Sequence, residues 1–352
     1  MLLSQKEIEQ QKALKKAGVN IAKTDFWTES PNALKLTLGV QQTFSVPNVY
    51  SNQVKLQKEA VKLSEKSYEI NKALLTRNVQ TLYLDMQYLQ KKLQQLIYQD
   101  SIYNALYKAS ERRFNAGEAD YLEKVTAEGR YFDIRNQLFL ASRSLANAAE
   151  QLKLFTGIAG TDSLIASDMI RYVPKNLVRD TSAISGNYLL GYYRQNQLYS
   201  SRNLKLQKSL FLPDFFVGYL NQGYSYTPYN LRLRFGVSLP LWFPYYTAKI
   251  KAARIGLQVA DLQLKNAATS IKSEFLSAYA EYEKSQASLK YYEDFGLRQA
   301  DLIIATSNRM FRAGNINYII YLQSLNQSLQ IRMDYLSALR DYNQAVINLD
   351  YL

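Results

Sequence analysis

A chain of 352 residues can bury a large core and, on length alone, hold about two or three domains. It has no cysteine and no histidine, which excludes disulfides, thiol nucleophiles, zinc fingers and imidazole acid–base chemistry together. The formal charge of +13 is spread over lysine-bearing helical patterns without a dense basic cluster or a recognition motif, so nucleic acid is not an expected partner.

Residues 1–17 read as an amphipathic helix and not as a signal peptide; an exported protein of this sequence would be a processed chain or a segment of a longer one. From Val19 to Thr28 the pattern is that of a strand, Glu29-Ser30-Pro31-Asn32 is a turn, and Leu34 to Phe44 alternates apolar and polar side chains with period two. After Pro47 comes a helical pattern from about Tyr50 to Arg113, free of proline and glycine and roughly 95 Å long at the usual rise. Its later half carries a coiled-coil seam: Leu75, Val79, Leu82, Met86, Leu89, Leu93 and Leu96. Phe114-Asn-Ala-Gly117 ends it, and a returning helix runs from Asp120 to Thr156 with its own seam, Ile134, Leu138, Ala141, Leu145, Ala148, Leu152 and Phe155. Gly129 weakens it locally, Gly157 stops it, and 157–184 read as a connector.

The order then recurs. Ser185 to Ser209 is helical, Leu210 to Gly223 is a strand, Tyr224 to Asn230 a turn, and Leu231 to Leu241 alternates throughout. One long helix leads to Phe311-Arg-Ala-Gly314 and a last one returns to Leu352. A shift of 197 residues lays Gly39-Val40 on Gly236-Val237, Pro47 on Pro244, Gly117 on Gly314, Arg135 on Arg332 and Arg143 on Arg340 without a gap. The returning seam maps onto Ile331, Tyr335, Ala338, Tyr342, Ala345, Leu349 and Leu352, while the outgoing seam is less regular in the second half. We read this as a tandem duplication, 1–156 and 185–352. The expected fold is mainly α with a small β part, each repeat being helix, β-hairpin, long helix, turn and long helix.

Four strands leave two open edges and are too few to close a barrel, for which about eight are needed. Three copies would give 12 strands. In Leu231 to Leu241 the leucine-rich row suits lipid, which places Arg232 and Arg234 in a barrel lumen or at a solvated rim. Trp27, Trp242 and Tyr245 lie near strand ends with Tyr224, Tyr226, Tyr229 and Tyr246, as membrane-interface aromatics do. The alternative is a two-layer α+β domain with its strands buried under helices, which gives the long helices no purpose.

The two Phe-x-Ala-Gly turns with Arg112 and Arg309 before them, the Gly-Val…Pro strand ends and the duplication resemble the TolC-like outer-membrane efflux proteins, of the CusC- and CzcC-like type that works with heavy-metal RND pumps. Tyr318 to Leu336 resembles the end of such a module fused to a CusA-type pump. The resemblance covers essentially the whole chain. It implies a homotrimer with a 12-stranded barrel in the outer membrane of a Gram-negative bacterium and an α-helical tunnel in the periplasm. It also implies a periplasmic adaptor, an RND pump and outer-membrane lipid as partners, and no cofactor. The turns at Arg112, Phe114, Gly117, Arg309, Phe311 and Gly314 would be the tips that meet adaptor and pump. Near them, Glu123 matches the family's gate acid and Phe311 an aromatic gate position; the gate arginine is Ile316 here, with Arg312 as the substitute.

The tips differ in charge. Glu118, Asp120 and Glu123 follow Gly117; Asn315, Asn317 and Ile320 follow Gly314. In a trimer the acids form a ring favouring cations, or they offset a helix dipole as N-terminal acids do; both roles can hold. No soft metal ligands are grouped, so no metal site is expected. An export duct is the leading function. A periplasmic coiled-coil adaptor is the alternative, opposed by the two hairpins and four strands. An enzyme is disfavoured by the lack of a nucleophile–base pair or phosphate loop.

Overall fold

The computed structural model describes residues 24–29, 35–45, 47–158, 164–174, 186–224, 231–239 and 243–352. The elements are β1 (Thr24–Glu29), β2 (Lys35–Ser45), α1 (Pro47–Asn115), α2 (Tyr121–Thr156), α3 (Tyr188–Ser209), β3 (Asp214–Tyr224), β4 (Leu231–Ser238), α4 (Phe243–Tyr291), a π turn (Tyr292–Gly296), α5 (Leu297–Arg312) and α6 (Tyr318–Tyr351). The expected N-terminal helix and the turn at Tyr226 and Tyr229 lie outside the described residues. Strand ends differ from expectation: β1 reaches Glu29, β2 reaches Ser45, β3 runs from Asp214 to Tyr224 and β4 stops at Ser238. Pro213 falls just before β3, where its missing N–H leaves no ladder gap. The second outgoing helix is not one continuous α-helix, because the π turn divides it into α4 and α5. Pro47 opens α1 and Pro244 sits in the first turn of α4, both where a proline costs no intrahelical bond.

Contacts divide the chain into two units, one of residues 1–67 and 189–267, the other of 68–188 and 268–352. In the first, four antiparallel strands are ordered β1-β2-β3-β4, with β1 and β4 at the edges. The register puts Phe44 beside Phe215 and Phe215 beside Val237, and likewise Val217 beside Phe235 and Tyr219 beside Leu233. One sheet face is therefore apolar, and Phe44, Phe215, Val217, Leu233, Phe235 and Val237 are all exposed on it. Gly218, opposite Arg234, and Thr43, opposite Phe216, belong to the other face. The start of α1 packs on α3 through Val49, Leu56 and Leu206. Gln195 Nε2 donates to Glu59 Oε2 at 2.7 Å, and Asn52 Nδ2 to Ser209 Oγ at 3.1 Å.

In the second unit the helices follow the order α2, α1, α6, α5 by their contacts, and α2 also touches α6 directly. Leu96 and Tyr103 of α1 share one core with Ala127, Ile134 and Ala141 of α2 and with Tyr318, Leu322, Leu325 and Leu329 of α6. Of the α1 seam, Met86 and Leu96 are buried, whereas Leu75 is exposed. The α2 seam is buried at Ile134, Ala141, Ala148 and Leu152 and exposed at Phe155. Gly129 leaves α2 unbroken.

The connector holds a feature that composition did not show. Leu164–Pro174 forms neither helix nor strand, and its backbone is paired by side chains instead. Gln87 Nε2 donates to Ser167 O and Asp168 O, each at 3.2 Å, and Gln90 Nε2 to Ala166 O at 3.3 Å. Ala166 N donates to Gln90 Oε1 at 3.0 Å and Ser167 N to the Tyr83 hydroxyl at 3.1 Å. From α6, fully buried Asn343 accepts from Tyr172 N at 2.8 Å and donates to Ile170 O at 2.7 Å. This strap is tied to both α1 and α6.

Candidate functional site

The two helix–turn–helix tips have the same backbone. In the first, Gly117 N donates to Phe114 O at 3.0 Å and Glu118 N to Arg113 O at 2.8 Å. In the second, Gly314 N donates to Phe311 O at 3.1 Å and Asn315 N to Met310 O at 2.9 Å. Both glycines have φ of 72°. These are Schellman caps, which satisfy carbonyls left over at a helix end and need a left-handed residue that only glycine supplies cheaply.

The side chains differ. At the first tip, Arg113 Nη1 pairs with Glu123 Oε1 at 2.5 Å, joining the end of α1 to the first turn of α2. Glu123 is mostly buried, Arg113 only partly. Burial pushes the Glu123 carboxyl above its ordinary range, Arg113 pulls it part of the way back, and Asp120 adds to the rise. Glu123 is thus engaged within its own chain, a pairing that spacing alone missed. Glu118 and Asp120 are exposed. Asp120 occupies the N-cap position of α2 but makes no side-chain cap hydrogen bond. Phe114 lies 5.8 Å from the Tyr121 ring and under Lys124 Nζ, 5.3 Å away. Exposed Arg112 turns back to donate to Lys108 O at 3.2 Å.

At the second tip the stabilising contacts are aromatic and neutral. Phe311 stacks on Tyr321 with centroids 4.6 Å apart and meets Tyr318 at 6.0 Å. It packs against the shared core instead of standing free. Tyr318 is buried and donates to Leu106 O at 2.8 Å; burial pushes its phenol pKa up. Its counterpart Tyr121 is exposed. Asn317 Oδ1 caps α6 by accepting from Ile320 N at 2.9 Å. Arg309 and Arg312 are exposed.

In the other unit, Arg232 and Arg234 are exposed on β4, alternating with its apolar row. Trp27 pairs in register with Gly39, four residues into the six of β1. Trp242 lies outside the described residues. Tyr245 is exposed in the first turn of α4, with Tyr246 at 5.3 Å and Lys249 Nζ 4.3 Å over its ring. Phe211 and Phe243, 5.8 Å apart, extend this aromatic group, and sequence reading did not single them out. Among the described residues no cluster of acids is placed to hold a metal ion, and no helix is long and apolar enough to cross a membrane.

The family model of outer membrane efflux proteins matches residues 15–158. No curated protein sequence matches the chain. Among solved structures, CusC superposes with a TM-score of 0.78 at 14% identity, over 97% of this chain and 86% of CusC. VceC of Vibrio cholerae gives 0.78 at 14% identity, covering 97% and 89% of the two chains. CmeC of Campylobacter jejuni gives 0.74 at 14%, covering 97% and 80%. At such identities the likeness is one of fold. The resemblance to TolC-like outer membrane efflux proteins holds: residues 15–158 carry the family's sequence pattern, and nearly the whole chain has the fold of these channels.

Proposed function

We propose that this chain, with the sequence pattern and fold of outer membrane efflux channels, is the duct of a tripartite RND-type efflux system. Three copies would form it, passively conducting metal cations or small toxic compounds passed on from an inner-membrane pump through a periplasmic adaptor. The strands would close a 12-stranded barrel in the outer membrane of a Gram-negative cell, and the helices a periplasmic tunnel. We take the halves 1–156 and 185–352, joined by 157–184, as a tandem duplication forming one module.

The observation that carries this reading is that both units have unfinished surfaces. The sheet has open edges at β1 and β4 and an apolar face exposed across three strands. Open edges are a liability unless another chain pairs with them. The helical row is unfinished as well. The outer helix α2 exposes a second apolar row, Leu122 and the heptad-spaced Val125, Phe132 and Phe139, and at the other side Tyr291 of α4, Phe295 of the π turn and Leu302 of α5 are exposed. A row whose end helices carry apolar seams is completed by closing into a ring with further copies. Arg232 and Arg234 then line the lumen, and Trp27, Trp242 and Tyr245 anchor the membrane interface. The tips meet the adaptor through Arg112, Phe114, Gly117, Arg309, Phe311 and Gly314, and Glu118 and Asp120 form an acidic ring. Glu123 and Phe311 support the gate from within each subunit, and Arg312 is the basic group free to face it.

The test is extraction and conductance. The chain should leave membranes only with detergent, as a trimer, and form cation-preferring pores. Glu118→Gln with Asp120→Asn should lower the cation preference. A detergent-free monomer without conductance sinks the duct; an unchanged preference sinks the acidic ring alone.

A further inference from the structure

Between α4 and α5 the helix widens over Tyr292–Gly296, where Leu297 N donates to Tyr292 O, five residues back. The counterpart stretch 95–99 is uninterrupted α-helix within α1. A π turn is rare, interrupts the i to i+4 ladder and is a place where a helix is re-aimed. Gly296 is buried here, and a Cβ on it would stand 2.9 Å from Tyr292 Cδ1 and 3.6 Å from Ile331 Cγ2. The wide turn thus lies flat against α6.

The strap reaches this turn through one side chain. Arg171 Nη1 pairs with Glu293 Oε2 at 3.1 Å, inside the π turn. The same guanidinium lies 4.9 Å over the Tyr342 ring of α6. Tyr342 in turn packs on Tyr282 of α4, with centroids 5.7 Å apart. Asn343 grips the strap on both sides of Arg171, at Ile170 O and Tyr172 N. Arg171 therefore joins the strap, α6 and the π turn, and its position is fixed from α6.

We propose that the π turn is a hinge at which α5, with the Gly314 tip, swings relative to α4, and that Arg171 is the clasp that holds it through Glu293. Released, the hinge frees the second tip to move. The first tip has no such joint, because α1 runs without a break to Asn115. Motion is thereby confined to one of two backbones that are otherwise alike.

Hydrogen exchange on the full chain in detergent micelles tests this, and it does not depend on whether the chain conducts. Arg171→Met and Glu293→Gln should each speed exchange of the 297–312 amides about threefold to fivefold, the scale of a partly exposed ion pair, and leave 95–113 unchanged. The exchanged pair, Arg171→Glu with Glu293→Arg, should restore most of the protection. Unchanged exchange over 297–312 in both single variants, or an equal rise over 95–113, would overturn the hinge and clasp.

Discussion

α2 and α6 are counterparts 197 residues apart, yet they live in different surroundings. α6 is wrapped. Leu322, Leu325, Leu329, Ala338, Tyr342, Ala345, Val346 and Leu349 are buried, and its two arginines have acidic partners on neighbouring helices. Arg340 pairs with Asp85 of α1 at 2.7 Å, and Arg332 pairs with Asp301 of α5. α2 is buried along one stripe. Its matching arginines lie over rings of their own helix instead, Arg135 over Tyr131 at 5.8 Å and Arg143 over Phe139 at 5.3 Å. The same helical frame thus serves once as the middle of a packed row and once as its rim. A rim helix with an apolar second seam is built to be covered.

That contrast can be broken by matched substitutions. The largest effect is expected at Leu329, which is 2% exposed, against its counterpart Phe132, 53% exposed. Leu329→Ala should cost about 2–4 kcal/mol in denaturant unfolding, as buried leucines do. Phe132→Ala should cost under about 1 kcal/mol in the dissociated chain, as a surface change does, and instead weaken the oligomer, read as a concentration-dependent loss of mass. Equal unfolding costs would erase the distinction between core and rim.

A smaller effect sharpens the difference between the tips. The Glu123 carboxyl is raised in the fold, chiefly by burial. Its contribution to stability is therefore full below the unfolded carboxylate range and lost as pH rises through the folded value, a loss that Arg113 limits. Arg113→Ala should cost roughly 1–2 kcal/mol at neutral pH, because a mostly buried carboxylate is left without its partner. The cost should shrink as pH falls through the carboxylate range, and adding Glu123→Gln should abolish the pH dependence. Met310→Ala at the matching place should show no such profile in a pH series of unfolding curves. The smallest effect separates the caps. Asn317→Ala should cost about 1 kcal/mol and Asp120→Ala close to nothing, since only Asn317 makes the capping bond. Both are read from the urea midpoint.

Much of this was legible in residue order. Proline and glycine marked the helix ends, period two marked β2 and β4, and the gap-free 197-residue shift announced two tips of one geometry. What stayed hidden has physical causes. The π turn changes no residue count, so the shift passed through it. The strap is held by Gln87, Gln90 and Asn343, whose partners are backbone atoms some 76 to 173 residues away. No local pattern encodes such pairing. The Arg113–Glu123 pair depends on how two helices meet across a turn, which spacing leaves open.

The direct test of the account is a cross-link between the two rims. Within the chain, α6 meets α1 where Gln344 Nε2 donates to Thr81 Oγ1 at 3.3 Å. The 197-residue counterparts are Asn147 on α2 and Ala278 on α4, and in a closed ring they face each other across copies. The sequence has no cysteine, so the background is clean. Oxidised Asn147→Cys with Ala278→Cys should run as a covalent trimer under denaturing conditions, with each single variant monomeric. A double variant that stays monomeric, or that forms a ladder without a stop at three, would contradict the ring.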